Sequence, residues 1–144
     1  MENTKIKVEF NLFGDTINFD KVKSLLNINP TRIRKKEDCK IAQYMRDSWQ
    51  FSTGYKDVCA ISIPFEELVD LMHMKFDIIN DIKQQYSLKS NIVIVVMSDA
   101  EKKPEFVLTN KCIKFAADTN SEIHFDNYFL LKNSKKSLLY TSSS

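Results

Sequence analysis

The sequence predicts an α+β fold, a mainly antiparallel sheet with helices packed on one face, in the order β-α-β-α-β-β-α-β. Two patterns carry this expectation. Short stretches of apolar/polar alternation recur along the chain, and between them apolar residues return at helical steps of three and four. Strands and helices follow one another without the regular βαβ repeat of a doubly wound sheet. The chain has 144 residues, enough for one domain that buries roughly two-thirds of its unfolded surface. Only two glycines and three prolines are present, which argues against a turn-rich all-β or repetitive architecture. The expected division is a single domain over 1–131 and a polar C-terminal tail over 132–144.

Ile6, Val8, Phe10 and Leu12 alternate with Lys7, Glu9 and Asn11 as a half-buried strand requires, and Gly14-Asp15 breaks the pattern. Asp20 is placed to cap a short helix carrying Val22, Leu25 and Leu26. That helix must stop before Pro30, which pushes the preceding residue away from helical angles. Ser48 to Thr53 alternates again, with Trp49 and Phe51 on one face, Ser48, Gln50 and Ser52 on the other, and Gly54 as the stop. Pro64 suits a first helical turn, and Phe65, Leu68, Met72, Phe76 and Ile79 then predict one long helix to about Tyr86 that covers the sheet. Ile92 to Met97 is apolar throughout, as in a central strand buried on both sides. A turn around Asp99 to Lys103 leads to a returning strand at Phe106 to Leu108. Thr109 is set to cap a helix in which Leu108 and Ile113 form a hydrophobic staple and Cys112, Ala116 and Ala117 fill the buried face. Ile123 to Leu131 closes the order as a last strand.

Composition excludes several classes. Cys39, Cys59 and Cys112 are odd in number and lack CxxC spacing, and Met1-Glu2-Asn3-Thr4 lacks the basic-then-apolar start of a secretory signal, so free thiols and a cytoplasmic location are expected. The longest purely apolar run is six residues, against the roughly twenty that span a bilayer, so no membrane segment is expected. Gly14 and Gly54 stand alone, outside any phosphate-loop pattern. No cysteine has a histidine near it in sequence, and His73 and His124 are too far apart for a zinc motif; neither a metal nor a cofactor is expected. Glu66, Glu67 and Asp70 fall in the first turns of the long helix, where its dipole favours them. Asp77 and Asp81 with Lys75 and Lys83 read as a solvated face. No general acid–base pair stands out, and the sequence leans away from an enzyme.

The positive charge is concentrated. Between Thr31 and Asp47, Arg32, Arg34, Lys35, Lys36, Lys40 and Arg46 face Glu37, Asp38 and Asp47, a local balance of +3 in a chain whose total is +2. Lys132, Lys135 and Lys136 add another +3 at the C-terminus, which leaves −4 for the remainder. Such a dipolar chain favours selective protein docking, where complementary potential sets encounter and register. A nucleic-acid binder usually carries a broader basic stripe and a higher pI than 8.3. The candidate binding residues are Arg32, Arg34, Lys35, Lys36, Tyr44, Arg46 and Trp49. The arginines supply forked donors for an anion, and Tyr44 or Trp49 supplies a ring on which a base would stack. The plainer readings are a loop charged for solubility and, for Trp49, a core anchor.

Phe13-Gly14-Asp15, the run Leu26-Asn27-Ile28-Asn29-Pro30-Thr31, the basic loop, Ser48-Trp49, the long amphipathic helix and the closing Ile123-His124-Phe125-Asp126 resemble a bacterial family known only as a domain of unknown function, family 4279. The resemblance spans roughly residues 6 to 131. Where that family tends to carry Gly-Asp after the basic residues, this chain has Glu37-Asp38, with no glycine to favour a left-handed turn. The resemblance implies a small stand-alone bacterial protein with no established reaction and no catalytic residues to carry over. The leading expectation is a cytoplasmic protein that docks a protein partner through the basic loop, an immunity-type inhibitor of a toxin being one version. The alternative is small-ligand or nucleic-acid phosphate binding by the same loop.

Overall fold

The computed structural model describes residues 3–41, 45–130 and 138–143. Seven strands, β1 (Lys5–Gly14), β2 (Arg32–Arg34), β3 (Asp47–Ser52), β4 (Lys56–Asp57), β5 (Lys89–Asp99), β6 (Glu122–Leu130) and β7 (Leu138–Ser143), form one open sheet. The strand order is β2-β3-β1-β5-β6-β7, with β4 continuing beside the start of β1. Every pairing is antiparallel except β5 with β6. The helices are α1 (Phe19–Leu26), α2 (Ser62–Met72), α3 (Phe76–Tyr86) and α4 (Asn110–Asp118). Their buried residues meet one face of the sheet, as expected of the α+β class.

β1 and β5 are the long central strands, and their alternation builds the core. Ile6, Val8, Phe10 and Leu12 of β1 and Ile92, Ile94 and Val96 of β5 are all fully buried under the helices. Against them pack Val22 and Leu26 of α1, Phe65, Leu68 and Met72 of α2, Ile79 of α3, and Cys112 and Phe115 of α4. The ring centroids of Phe10 and Phe115 lie 5.9 Å apart in a tilted pair. β1 ends at Gly14 because the α3–β5 turn comes close: a Cβ there would stand 2.6 Å from Leu88 Cδ2. Gly54 takes a positive φ of 74° between β3 and β4, a left-handed conformation that glycine adopts without steric cost.

The local signals depart from expectation at identifiable points. Asn18, not Asp20, caps α1, its Oδ1 accepting from the Lys21 amide at 3.1 Å. The expected long helix is two helices, α2 and α3, separated by a 3-10 turn at His73–Lys75. The bend lets α2 pack on α4 while α3 packs on α1, and the Lys75 ammonium donates to the Leu26 carbonyl at the end of α1. Phe76 accordingly opens α3 and is partly exposed instead of filling one continuous stripe.

Phe106–Leu108 is not a strand; only Glu105 forms an isolated bridge, with Ala60, because no neighbouring strand continues the pairing. Leu108 packs against the core while Ile113 is exposed, so the expected staple does not form. Thr109 sits at the N-cap of α4, but its hydroxyl donates to Cys112 Sγ and not to a backbone amide. Part of the stretch expected as a polar tail, Leu138–Ser143, pairs antiparallel with β6, where its Leu-Leu-Tyr-Thr sequence suits a strand.

Candidate functional site

The basic loop is partly a strand. β2 pairs with β3 so that Arg32 stands opposite Gln50, Ile33 opposite Trp49 and Arg34 opposite Ser48. Period two then places Arg32, Arg34, Ser48 and Gln50 on the face away from the helices. β1 continues the rows, with Gln50 opposite Asn11 and Ser48 opposite Phe13, and β5 adds Asn91 opposite Asn11. On this open face Arg32, Arg34, Arg46, Asn11, Phe13, Ser48, Gln50 and Asn91 line a cavity of about 150 Å³.

The floor of the cavity is a chain of side-chain amides. Gln50 Nε2 donates to Asn11 Oδ1 at 3.1 Å, and Asn11 Nδ2 donates to Asn91 Oδ1 at 2.9 Å. The row therefore ends with the amide donors of Asn91. Arg46 lies over the Phe13 ring with its Cζ 4.1 Å from the centroid, a cation–π contact that holds the guanidinium at the cavity wall. The chain contains only three arginines among its 21 basic residues, and all three line this cavity. Among the described residues none of them forms an ion pair, and no carboxylate lines the cavity. Arginine is the side chain suited to forked recognition of carboxylate and phosphate, whereas lysine, used everywhere else in this chain, serves as a point charge.

Asp47 fixes this arrangement from the other face. Its side chain is 7% exposed, and it accepts from the Ile17 amide through Oδ2 at 2.9 Å and from the Lys36 amide through Oδ1 at 2.8 Å. One carboxylate thus ties the β1–α1 link to the 3-10 turn at Lys36–Asp38 that follows β2. That turn occupies the place where a left-handed conformation was open to question, and it needs no glycine.

The other sequence candidates separate from the cavity. Lys35 lines a different hollow with Ile17, Ile33 and Glu37. The Lys36 ammonium lies 3.4 Å from both Asp15 Oδ1 and Thr16 Oγ1. Tyr44 falls outside the described residues. Trp49 lies on the helix face of β3, is 0% exposed, and has no hydrogen-bond partner for its Nε1 among the described residues. It is a core residue and takes no part in the cavity. Sequence reasoning missed Asn11, Phe13, Ser48, Gln50 and Asn91. Their signal was present in Ser48 and Gln50 alternating with Trp49, and in neutral amides standing where an exposed strand usually carries Lys or Glu.

Residues 4–130 match the family described as Domain of unknown function (DUF4279). The chain belongs to this family. No curated protein and no solved structure matches the chain. In this DUF4279 chain a second polar cluster surrounds Lys83. The Lys83 ammonium donates to Ser90 Oγ at 2.8 Å and to the Thr119 carbonyl at 2.6 Å, closing the C-terminal end of α4; burial lowers its pKa from 10.5. Burial likewise raises the Cys112 thiol above 9.0. Among the described residues, no group of three or more His, Cys, Asp or Glu side chains is placed to hold a metal ion. No described helix is long and apolar enough to cross a membrane.

Proposed function

We propose that this DUF4279 protein acts by binding, docking an acidic protein partner in the bacterial cytoplasm through the arginine-lined end of its open sheet face. An immunity-type inhibitor of a toxin is one form of this proposal. The observation that carries it is the convergence of every arginine in the chain, none of them ion-paired among the described residues, on one cavity without a carboxylate. Unpaired guanidiniums on a strand framework form a site prepared for an anion, and complementary charge sets the orientation of a docked partner. Nucleic-acid binding draws less support, because Trp49 is buried and Arg46 already covers the Phe13 ring, which leaves neither as a free stacking platform.

The test is capture from host lysate at physiological salt, with and without nuclease, by the wild-type chain and by the Arg32→Gln/Arg34→Gln/Arg46→Gln variant. The expected result is a discrete protein that survives nuclease and is lost with the variant. Capture that is unchanged by the variant contradicts the site, and recovery of nucleic acid alone contradicts the partner class.

A further inference from the structure

Building on the proposal that the cavity takes an anionic group, we infer that this group is a phosphomonoester dianion, held between Arg32, Arg34 and Arg46 over the Asn91 end of the amide chain. Three guanidiniums that face one cavity of about 150 Å³ repel one another, and no carboxylate in the lining offsets them. A monocarboxylate brings one negative charge and two oxygens to this space, whereas a phosphomonoester brings nearly two charges and three acceptor oxygens. The donor side matches the larger demand. Each arginine carries five N–H groups, Ser48 adds a hydroxyl, and the Asn91 amide ends a row whose other members already donate inward. The volume of about 150 Å³ is enough for the phosphoryl group and its ester oxygen. The shared chemistry is that of a phosphorylated side chain on the partner or of a free phosphomonoester.

The test uses the full chain and the arginine Nε–Hε resonances, of which three arginines give three. The probes are phenyl phosphate, inorganic phosphate, sulfate and benzoate, together with a phosphoserine peptide and its glutamate twin. Phenyl phosphate is expected to shift all three signals and to bind at least tenfold more tightly than benzoate at pH 7. Its affinity should fall about tenfold from pH 7 to pH 5, following its own second ionisation near pH 6. Near the cavity stand Lys89 opposite Phe13, Glu122 opposite Asn91, the Glu122–His124 pair at 3.0 Å, and Lys36 with Asp15. Sulfate does not titrate in this window, so its pH profile removes the contribution of those groups. Replacing the three arginines with lysine keeps the charge and loses the forks; with no arginine signal left, phenyl phosphate binding to this variant is read by titration calorimetry, run on the wild type alongside, and should be at least tenfold weaker.

Benzoate binding as tight as phenyl phosphate, phosphate and sulfate profiles that coincide, or full retention in the lysine variant overturns the inference. A phosphoserine peptide stronger than inorganic phosphate assigns the group to a partner, and equal strength assigns it to a free monoester; either supports the phosphoryl assignment. If the glutamate twin matches the phosphopeptide, this inference fails while the docking proposal stands. If no anion moves the arginine signals and lysate capture also survives Arg→Gln replacement, both fail.

Discussion

Replacing Asp47 isolates the strut that positions the basic strand. In Asp47→Ala two backbone amides, Ile17 in a buried and Lys36 in a part-buried bond, lose the acceptor that the described residues give them, at a residue that is 7% exposed. An unsatisfied buried donor costs about 1–3 kcal/mol, and hydrogen bonds to a charged acceptor lie in the upper part of that range. Limited entry of water to the smaller side chain offsets part of the loss, so the expected destabilisation is about 3 kcal/mol. For a chain of this size that lowers Tm by roughly 10 °C. Asp47→Asn keeps one acceptor but turns an NH2 group toward the other donor, and should cost about 2 kcal/mol. Urea unfolding followed by Trp49 fluorescence gives the global value, and amide exchange at Ile17 and Lys36 gives the local one. A loss below about 1 kcal/mol in Asp47→Ala, with both amides still protected, refutes the argument that this carboxylate holds the two loops together.

Trp49 emission should be blue-shifted and shielded from acrylamide, and Trp49→Phe should cost less than about 2 kcal/mol, because it removes an unpaired buried donor along with the lost area; a quenched, red-shifted emission would place the indole in solvent. Asn11→Ala breaks both links of the amide chain and should cost about 1–2 kcal/mol in urea unfolding while weakening anion binding, whereas an effect on stability alone would detach the chain from the site. In the native protein the exposed Cys59 should react quickly with a thiol reagent and the buried Cys112 only on unfolding. Because the folded thiol of Cys112 titrates above 9.0, its contribution to stability is present below that pH and is lost as pH rises through it; a Cys112→Ala variant should lack this alkaline slope.

Strands β1 and β3 were legible because they are half-buried and so alternate visibly, whereas β2, β4 and β7 were not, being short or read as loop and tail. The apolar face of β1 and the stop at Gly54 follow from period two and local turn chemistry; the central place of β5 was read from its unbroken apolar run, although its second face, with Asn91, is open and not buried under a second layer. The break between α2 and α3 was not legible, because Met72, Phe76 and Ile79 keep helical spacing across it, and the bend answers to α1 and α4, which only tertiary packing brings near. The site was half legible. Arg32, Arg34 and Arg46 stood out as charge in one loop, but spacing alone gave no reason to separate them from Lys35 and Lys36. Register does that: β2 pairing with β3 sends Arg32 and Arg34 to the open face. The same register sends Trp49 into the core and recruits Asn11 and Asn91 from two strands that lie on either side of the loop in sequence.

The central claim is that the arginine cavity is the contact surface. The chain has only three arginines, so phenylglyoxal labelling read by mass spectrometry reports on that cavity and little else. All three should be modified in the free protein and protected together in the complex with the captured partner. Equal modification of Arg32, Arg34 and Arg46 in the free and bound states would contradict the account and move the interface elsewhere on the molecule.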